Sequence, residues 1–138
     1  MTGYVLSDDP SRVDLDAVWA FVSTEAYWGR YRTREDVEKQ VRGAWRVVAA
    51  FAPDGAQVGF CRAVSDGVAL AYLADVYVLP EHRGHALGKL LVAAMVTDGP
   101  GADFRWLLHT ADAHDLYRQV GFRDADATLM ELPHVTTR

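Results

Sequence analysis

The chain has 138 residues, half of them hydrophobic and 24% charged, with a net charge of −5 and a pI near 5.4. That length and composition suit one globular domain spanning residues 1–138, and the acidic balance argues against a nucleic-acid partner, which would favour a basic patch. One cysteine, Cys61, excludes an internal disulfide framework. Cys61 lies in an apolar stretch, so it reads as a buried structural thiol rather than a nucleophile. No apolar run approaches the ~20 residues of a membrane span. Met1-Thr2-Gly3-Tyr4 lacks the basic and apolar regions of a signal peptide, so the expected compartment is cytoplasmic and no membrane partner is expected.

Tyr4 to Leu6 predicts a short strand, ended by Ser7-Asp8-Asp9-Pro10. A helix follows, capped by Asp14 or Asp16, with Leu15, Val18, Trp19 and Val22 as its buried stripe. Glu25 to Arg32 is a dense aromatic and charged run around Gly29. Thr33 then caps a second helix, with Asp36 in its first turn, Val37 and Val41 facing inward and Gly43 as its stop. Trp45 to Phe51, the turn Pro53-Asp54-Gly55 and Gln57 to Val64 read as a hairpin. A nearly unbroken apolar run from Val68 to Leu79 reads as a strand buried on both faces, ended by Pro80. Leu87, Leu90, Leu91 and Ala94 then recur at helical spacing. After the loop Asp98-Gly99-Pro100-Gly101 come a strand from Phe104 to His109, a short helix from Ala113 to Val120 stopped by Gly121, and a closing strand from Ala127 to Leu132. The tail from Pro133 to Arg138 is expected to be loose. By periodicity alone this is a mixed α/β domain.

Between the long strand and the helix that follows lies Arg83-Gly84-His85-Ala86-Leu87-Gly88-Lys89. Small residues at a helix N-terminus bring free N–H groups to the surface, and with the helix dipole, Arg83 and Lys89 they suit a pyrophosphate. The stretch resembles motif A of the GCN5-related N-acetyltransferases (GNAT), whose signature of Arg or Gln, two residues, Gly, one residue, Gly or Ala falls on Arg83, Ala86 and Gly88. Ala86 stands where the signature has its middle glycine, which leaves less freedom in φ. Ala113-His114-Asp115-Leu116-Tyr117 followed by Gly121-Phe122 resembles motif B of the same family, with Thr110 where many relatives carry Asn. Thr can still cap a turn there. Phe21 to Trp28, Ala71 to Val76 and Asp112 to Tyr117 also look like a bacterial subfamily of small acetyltransferases.

The resemblance covers about Val5 to Met130 and implies a mixed sheet flanked by helices, whose strands before and after the central helix splay apart to admit acetyl-CoA. It implies direct acetyl transfer to the primary amine of a small molecule or amino-acid-like acceptor, without a metal. A CoA-binding sensor without turnover is the alternative, and homodimers are common among relatives. The cofactor would lie along Val76, Tyr77 and Val78 and on residues Arg83, Gly84, His85, Ala86, Leu87, Gly88 and Lys89. The N–H of Val76 would polarise the thioester carbonyl. Tyr117 matches the family's general acid for the departing thiolate. Many relatives place a glutamate base where this chain has Tyr72, which leaves Glu25, Asp75 or a water chain for that task. Asp75 is unusual in an apolar strand and should face away from Tyr72 unless a bulge intervenes. For the acceptor pocket the expectations are Tyr72, His114, Tyr27 and Trp28, with Glu25 and Tyr31 adding an acidic, aromatic site for a cation. Arg30 and Arg32 would instead hold a carboxylate.

Overall fold

A computed structural model describes residues 3–26 and 31–133. Among these, five strands form one sheet in the order β1-β2-β3-β4-β5: β1 (Val5–Ser7), β2 (Arg46–Phe51), β3 (Gln57–Ser65), β4 (Leu70–Val78) and β5 (Arg105–Leu107). The first four are antiparallel neighbours, whereas β5 runs parallel to β4. Four helices cover the sheet: α1 (Leu15–Thr24), α2 (Arg34–Arg42), α3 (Leu87–Met95) and α4 (His114–Val120).

Local chemistry places most of these ends. Asp14 caps α1 by accepting from the Ala17 N–H at 3.1 Å. Thr33 and Asp36 form a reciprocal capping box on α2. Gly121 closes α4 in the left-handed conformation, φ 115°. The sheet separates two cores. On one face α3 and α4 pack Leu87, Leu91, Val92, Met95 and Tyr117 against Val48, Cys61, Leu73 and Val78. On the other, α1 and α2 pack Val18, Phe21, Val22, Val37 and Val41 against Val47, Phe60 and Tyr77. Trp19 and Leu15 only border that second core, and Phe21 takes the inward place instead. Burial pushes the Cys61 thiol up to about 12, as suits an inert core residue.

Two expectations need correction. The segment from Ala127 to Leu132 forms no strand, and Met130 and Leu132 are exposed. A strand exists only through its ladder, and β-propensity without a paired neighbour does not supply one. The long strand is also not buried on both faces: Ala71, Leu73 and Asp75 are buried, whereas Tyr72, Ala74 and Val76 are only half-buried. These half-buried residues line a cavity.

β4 carries the feature that shapes these cavities. Phe60 pairs with Tyr77 and Arg62 with Ala74, so Asp75 and Val76 together oppose Cys61. This is a β-bulge, and Asp75 takes φ 55°, a left-handed conformation that Asp tolerates better than most residues. The extra residue puts Asp75 on the same side as Tyr72. At its other edge β4 pairs with β5 only from Leu70 to Tyr72. Beyond Tyr72 the two parallel strands part.

Candidate active site

Two cavities occupy the gap that opens between β4 and the β5–α4 connection. The first, about 690 Å³, is bounded by Val76, Tyr77 and Val78 of β4, by Arg83, Gly84, Ala86, Leu87, Gly88 and Lys89, and by α4. The turn that enters α3 is wound tightly, with Gly84 at φ 91° and Ala86 at φ 60°. Ala86 is the N-cap of α3 and supplies no side-chain cap, so the first N–H groups of that helix are left to other partners. The residues present therefore fit a pyrophosphate: a positive helix end, small side chains, and Lys89 in the lining. Arg83 is partly committed, since its Nε donates to the Val78 carbonyl at 3.1 Å.

Because Ala86 holds a conformation that costs an L-residue about 1–2 kcal/mol, Ala86→Gly should leave thermal stability unchanged or raised. The released strain offsets the added entropy of the unfolded chain. A clear fall in melting temperature would show that the methyl group packs usefully.

Two side chains expected at the cofactor point elsewhere. Tyr77 turns into the opposite core, stacked on Phe21 with ring centroids 4.1 Å apart, where burial raises its hydroxyl pKa. Only its main chain is on offer to a ligand. His85 is absent from the cavity lining, and its ring packs on Tyr4 at 5.2 Å. Gly88 lines the cavity, and a Cβ there would make only ordinary contact with Leu116 of α4, at 3.6 Å.

The second cavity, about 570 Å³, is lined by Tyr31, Arg32, Arg62, Tyr72, Asp75, His109 and Asp112 among others. Val76, Asp112, Ala113 and Tyr117 line both cavities, so the two meet at these residues. Tyr117 is 8% exposed, with its ring edge-on to Phe122 at 5.8 Å. Thr110 supports this helix start as expected, its Oγ1 accepting from the Ala113 N–H at 3.0 Å.

Asp75 lies in the floor of the second cavity and is 9% exposed. Arg32 grips it with both terminal nitrogens, at 2.9 and 3.0 Å, and Arg62 Nε donates to it at 2.6 Å. Burial disfavours the carboxylate, but the hydrogen bonds and charges of the two arginines outweigh it and hold the Asp75 pKa below its ordinary value. A carboxylate so held resists taking a proton, which speaks against Asp75 as the base. Arg62 was missed in the sequence although it carried the same signal as Asp75, a lone charge in an apolar strand.

Glu25 does not border the second cavity. It is the C-cap of α1, its N–H bonded to the Phe21 carbonyl, and this places it on the first cavity. His114 is likewise displaced: it is exposed and lines a separate depression with Trp106, Arg118, Phe122 and Leu129. That depression shares His109, Thr110 and Tyr117 with the second cavity. Tyr27, Trp28 and Arg30 lie outside the described residues.

The Tyr72 hydroxyl lies 2.6 Å from His109 Nδ1, and His109 Nε2 lies 2.5 Å from a carboxylate oxygen of Glu131. Burial first, then the charge of Glu131, raises the Tyr72 pKa and keeps the hydroxyl protonated. His109 and Glu131 were not singled out in the sequence, since nothing local links them. Among the described residues no group of three or more His, Cys, Asp or Glu could hold a metal ion, and no helix is long and apolar enough to cross a membrane.

Known proteins share this fold. The family model of the acetyltransferase (GNAT) domain matches residues 44–124. The chain is 28% identical to a Gibberella zeae protein described as a "putative acetyltransferase", over 88% of this chain and 80% of that one. The crystal structure of a Xanthomonas campestris pv. campestris protein, described as a "putative acetyltransferase belonging to the gnat family", is 32% identical. It superposes with a TM-score of 0.86 over 97% of this chain and 95% of the other. Glucosamine-6-phosphate N-acetyltransferase from Arabidopsis thaliana shares the fold, with a TM-score of 0.64 at 12% identity over 94% of this chain and 97% of its own. The matched family model spans both the glycine-containing turn and α4, and the chain belongs to the GNAT acetyltransferase family.

Proposed function

We propose that the protein is an N-acetyltransferase that moves the acetyl group of acetyl-CoA directly to the primary amine of a small, amino-acid-like acceptor. The observation that carries this reading is the meeting of two cavities at Tyr117 and Val76, with an anion-binding helix end on one side and a polar chamber on the other. Acetyl-CoA supplies an activated acyl carbon and a thiolate leaving group. The N–H groups from Gly84 to Lys89 hold its phosphates, and the β4 edge at Val76–Val78, left without a strand partner by β5, takes its pantetheine arm as an added strand. The Val76 N–H stabilises the oxyanion, and Tyr117 protonates the sulfur. The second cavity is the acceptor site. Its buried ionic group joins Arg32 and Arg62 to Asp75. Arg62 spends only its Nε on Asp75, so its terminal nitrogens are available to a carboxylate on the acceptor. That favours an amino acid over a polyamine.

CoA release, followed with acetyl-CoA and a panel of amino acids, simple amines, polyamines and aminoglycosides, tests the reading. Turnover confined to acceptors bearing a carboxylate is the expected result. Tight acetyl-CoA binding with no release on any acceptor would instead mark a CoA-binding module. Gly84→Val tests the cofactor side separately. A β-branched residue cannot hold φ 91° without strain of about 1–2 kcal/mol, so acetyl-CoA should bind at least about tenfold more weakly by calorimetry. Unchanged affinity would remove this turn from the cofactor site.

A further inference from the structure

The transferase reading leaves open which group takes the proton from the acceptor's ammonium. We propose that a relay of three side chains, Tyr72, His109 and Glu131, accepts that proton from the second cavity and passes it to bulk water. The proposal rests on the transferase reading and adds the general base to it. The three residues come from β4, from the connection after β5 and from the segment after α4, and they stand in line at 2.6 and 2.5 Å.

The direction of each hydrogen bond follows from the end of the line. An ionised carboxylate only accepts, so His109 Nε2 must carry the hydrogen it gives to Glu131. A neutral imidazole has one N–H, so Nδ1 is bare and accepts from the Tyr72 hydroxyl. The Tyr72 oxygen, having given its own hydrogen to His109, can present lone pairs to an ammonium in the chamber it lines. A phenol alone is a poor base at neutral pH, whereas a phenol already bonded to imidazole can pass a proton on.

The transfer balances. An N–H bond of the ammonium breaks, its proton binds the Tyr72 oxygen, and Tyr72's own proton moves to His109 Nδ1. The products are a neutral amine and an imidazolium held beside the Glu131 carboxylate. His109's side chain is 64% exposed, so it can return that proton to water. The amine nitrogen then bonds to the acyl carbon, the carbon–sulfur bond breaks, and Tyr117 protonates the sulfur. The second proton lost by the nitrogen restores Tyr117 through solvent.

Other charges face the line. Arg62 and Asp75 act on Tyr72 from β3 and β4, and Arg32 lines the same chamber from the segment before α2, but these three are held to one another. Behind His109, Arg118 of α4 pairs with Asp124, and Arg123 lies in the same depression. Asp112 in the chamber and His114 behind it are therefore the competing proton acceptors.

His109→Gln and Tyr72→Phe, assayed with the best acceptor of the panel, should each lower kcat about 100-fold at neutral pH. The acetyl-CoA KM should be unchanged. The deficit should shrink toward wild type as the pH passes the acceptor's own amine pKa, because a free amine needs no base. A merely structural role would leave the deficit constant with pH. Glu131→Gln should fall between wild type and His109→Gln, while Asp112→Asn and His114→Gln should keep the wild-type pH shape. On the protein alone, nitrogen-15 NMR of labelled histidine should show His109 as the Nε2–H tautomer. The Nδ1–H tautomer, or a pH-independent deficit, overturns the relay and leaves the transferase reading standing. Wild-type protein that turns over no acceptor overturns the transferase reading and the relay's catalytic role with it.

Discussion

Tyr117→Phe is expected to lower kcat by about 100-fold or more while acetyl-CoA binds as in the wild type. The substitution removes one oxygen and keeps the ring, whose edge-on contact with Phe122 and burial against the α3 face hold α4 in place. Stability should therefore change little, which separates chemistry from folding. With the hydroxyl gone, the departing thiolate would have to take its proton from solvent. The loss should fall on kcat and kcat/KM alike, as for an interaction made only in the transition state. Stopped-flow CoA release together with calorimetry of acetyl-CoA binding measures both halves. Full turnover in the variant would leave Tyr117 as a wall of the cavity and pass the acid's role to solvent.

Asp75→Ala is expected to cost the most stability, about 3–5 kcal/mol by urea unfolding, because it strands two buried arginines without their counter-charge. Arg62→Met should cost less, since the two-pronged contact between Arg32 and Asp75 survives. The pH dependence has a definite sign. The folded-state pKa of Asp75 lies below its ordinary value of 3.8, so its stabilisation is complete above that value and is lost as the pH falls through the depressed one. The stability gap between wild type and Asp75→Ala should thus be constant near neutral pH and narrow in strong acid. A gap that widened in acid would mean that the buried aspartate is held protonated.

Much of the architecture was legible because its signals are local. The Thr33–Asp36 capping box and the Gly121 stop of α4 each need only a few neighbouring residues, and both are where the sequence puts them. The turn that enters α3, from Arg83 to Lys89, was legible for the same reason. What was hidden depends on pairing. An apolar run without clean alternation conceals which residue sits on which face, so the bulge at Asp75 appears only when β3 is laid beside it. Arg62 and Arg32 reach Asp75 from separate elements, and His109 finds Glu131 across α4. The apolar pattern misled at Ala127 to Leu132, where the residues form no strand.

The extra residue in β4 also sets what kind of change this strand can absorb over generations. Swapping a side chain there alters one contact. Deleting the codon for Asp75 would close the bulge and leave Phe60 opposite Tyr77 and Arg62 opposite Ala74, with the later side chains on their present faces. The carboxylate between Arg32 and Arg62 would go with it, so the strand can lose its irregularity only together with that charge. The turn at Asp54-Gly55, where a Cβ on Gly55 would meet nothing within 4 Å, is the natural place for the chain to grow or shrink.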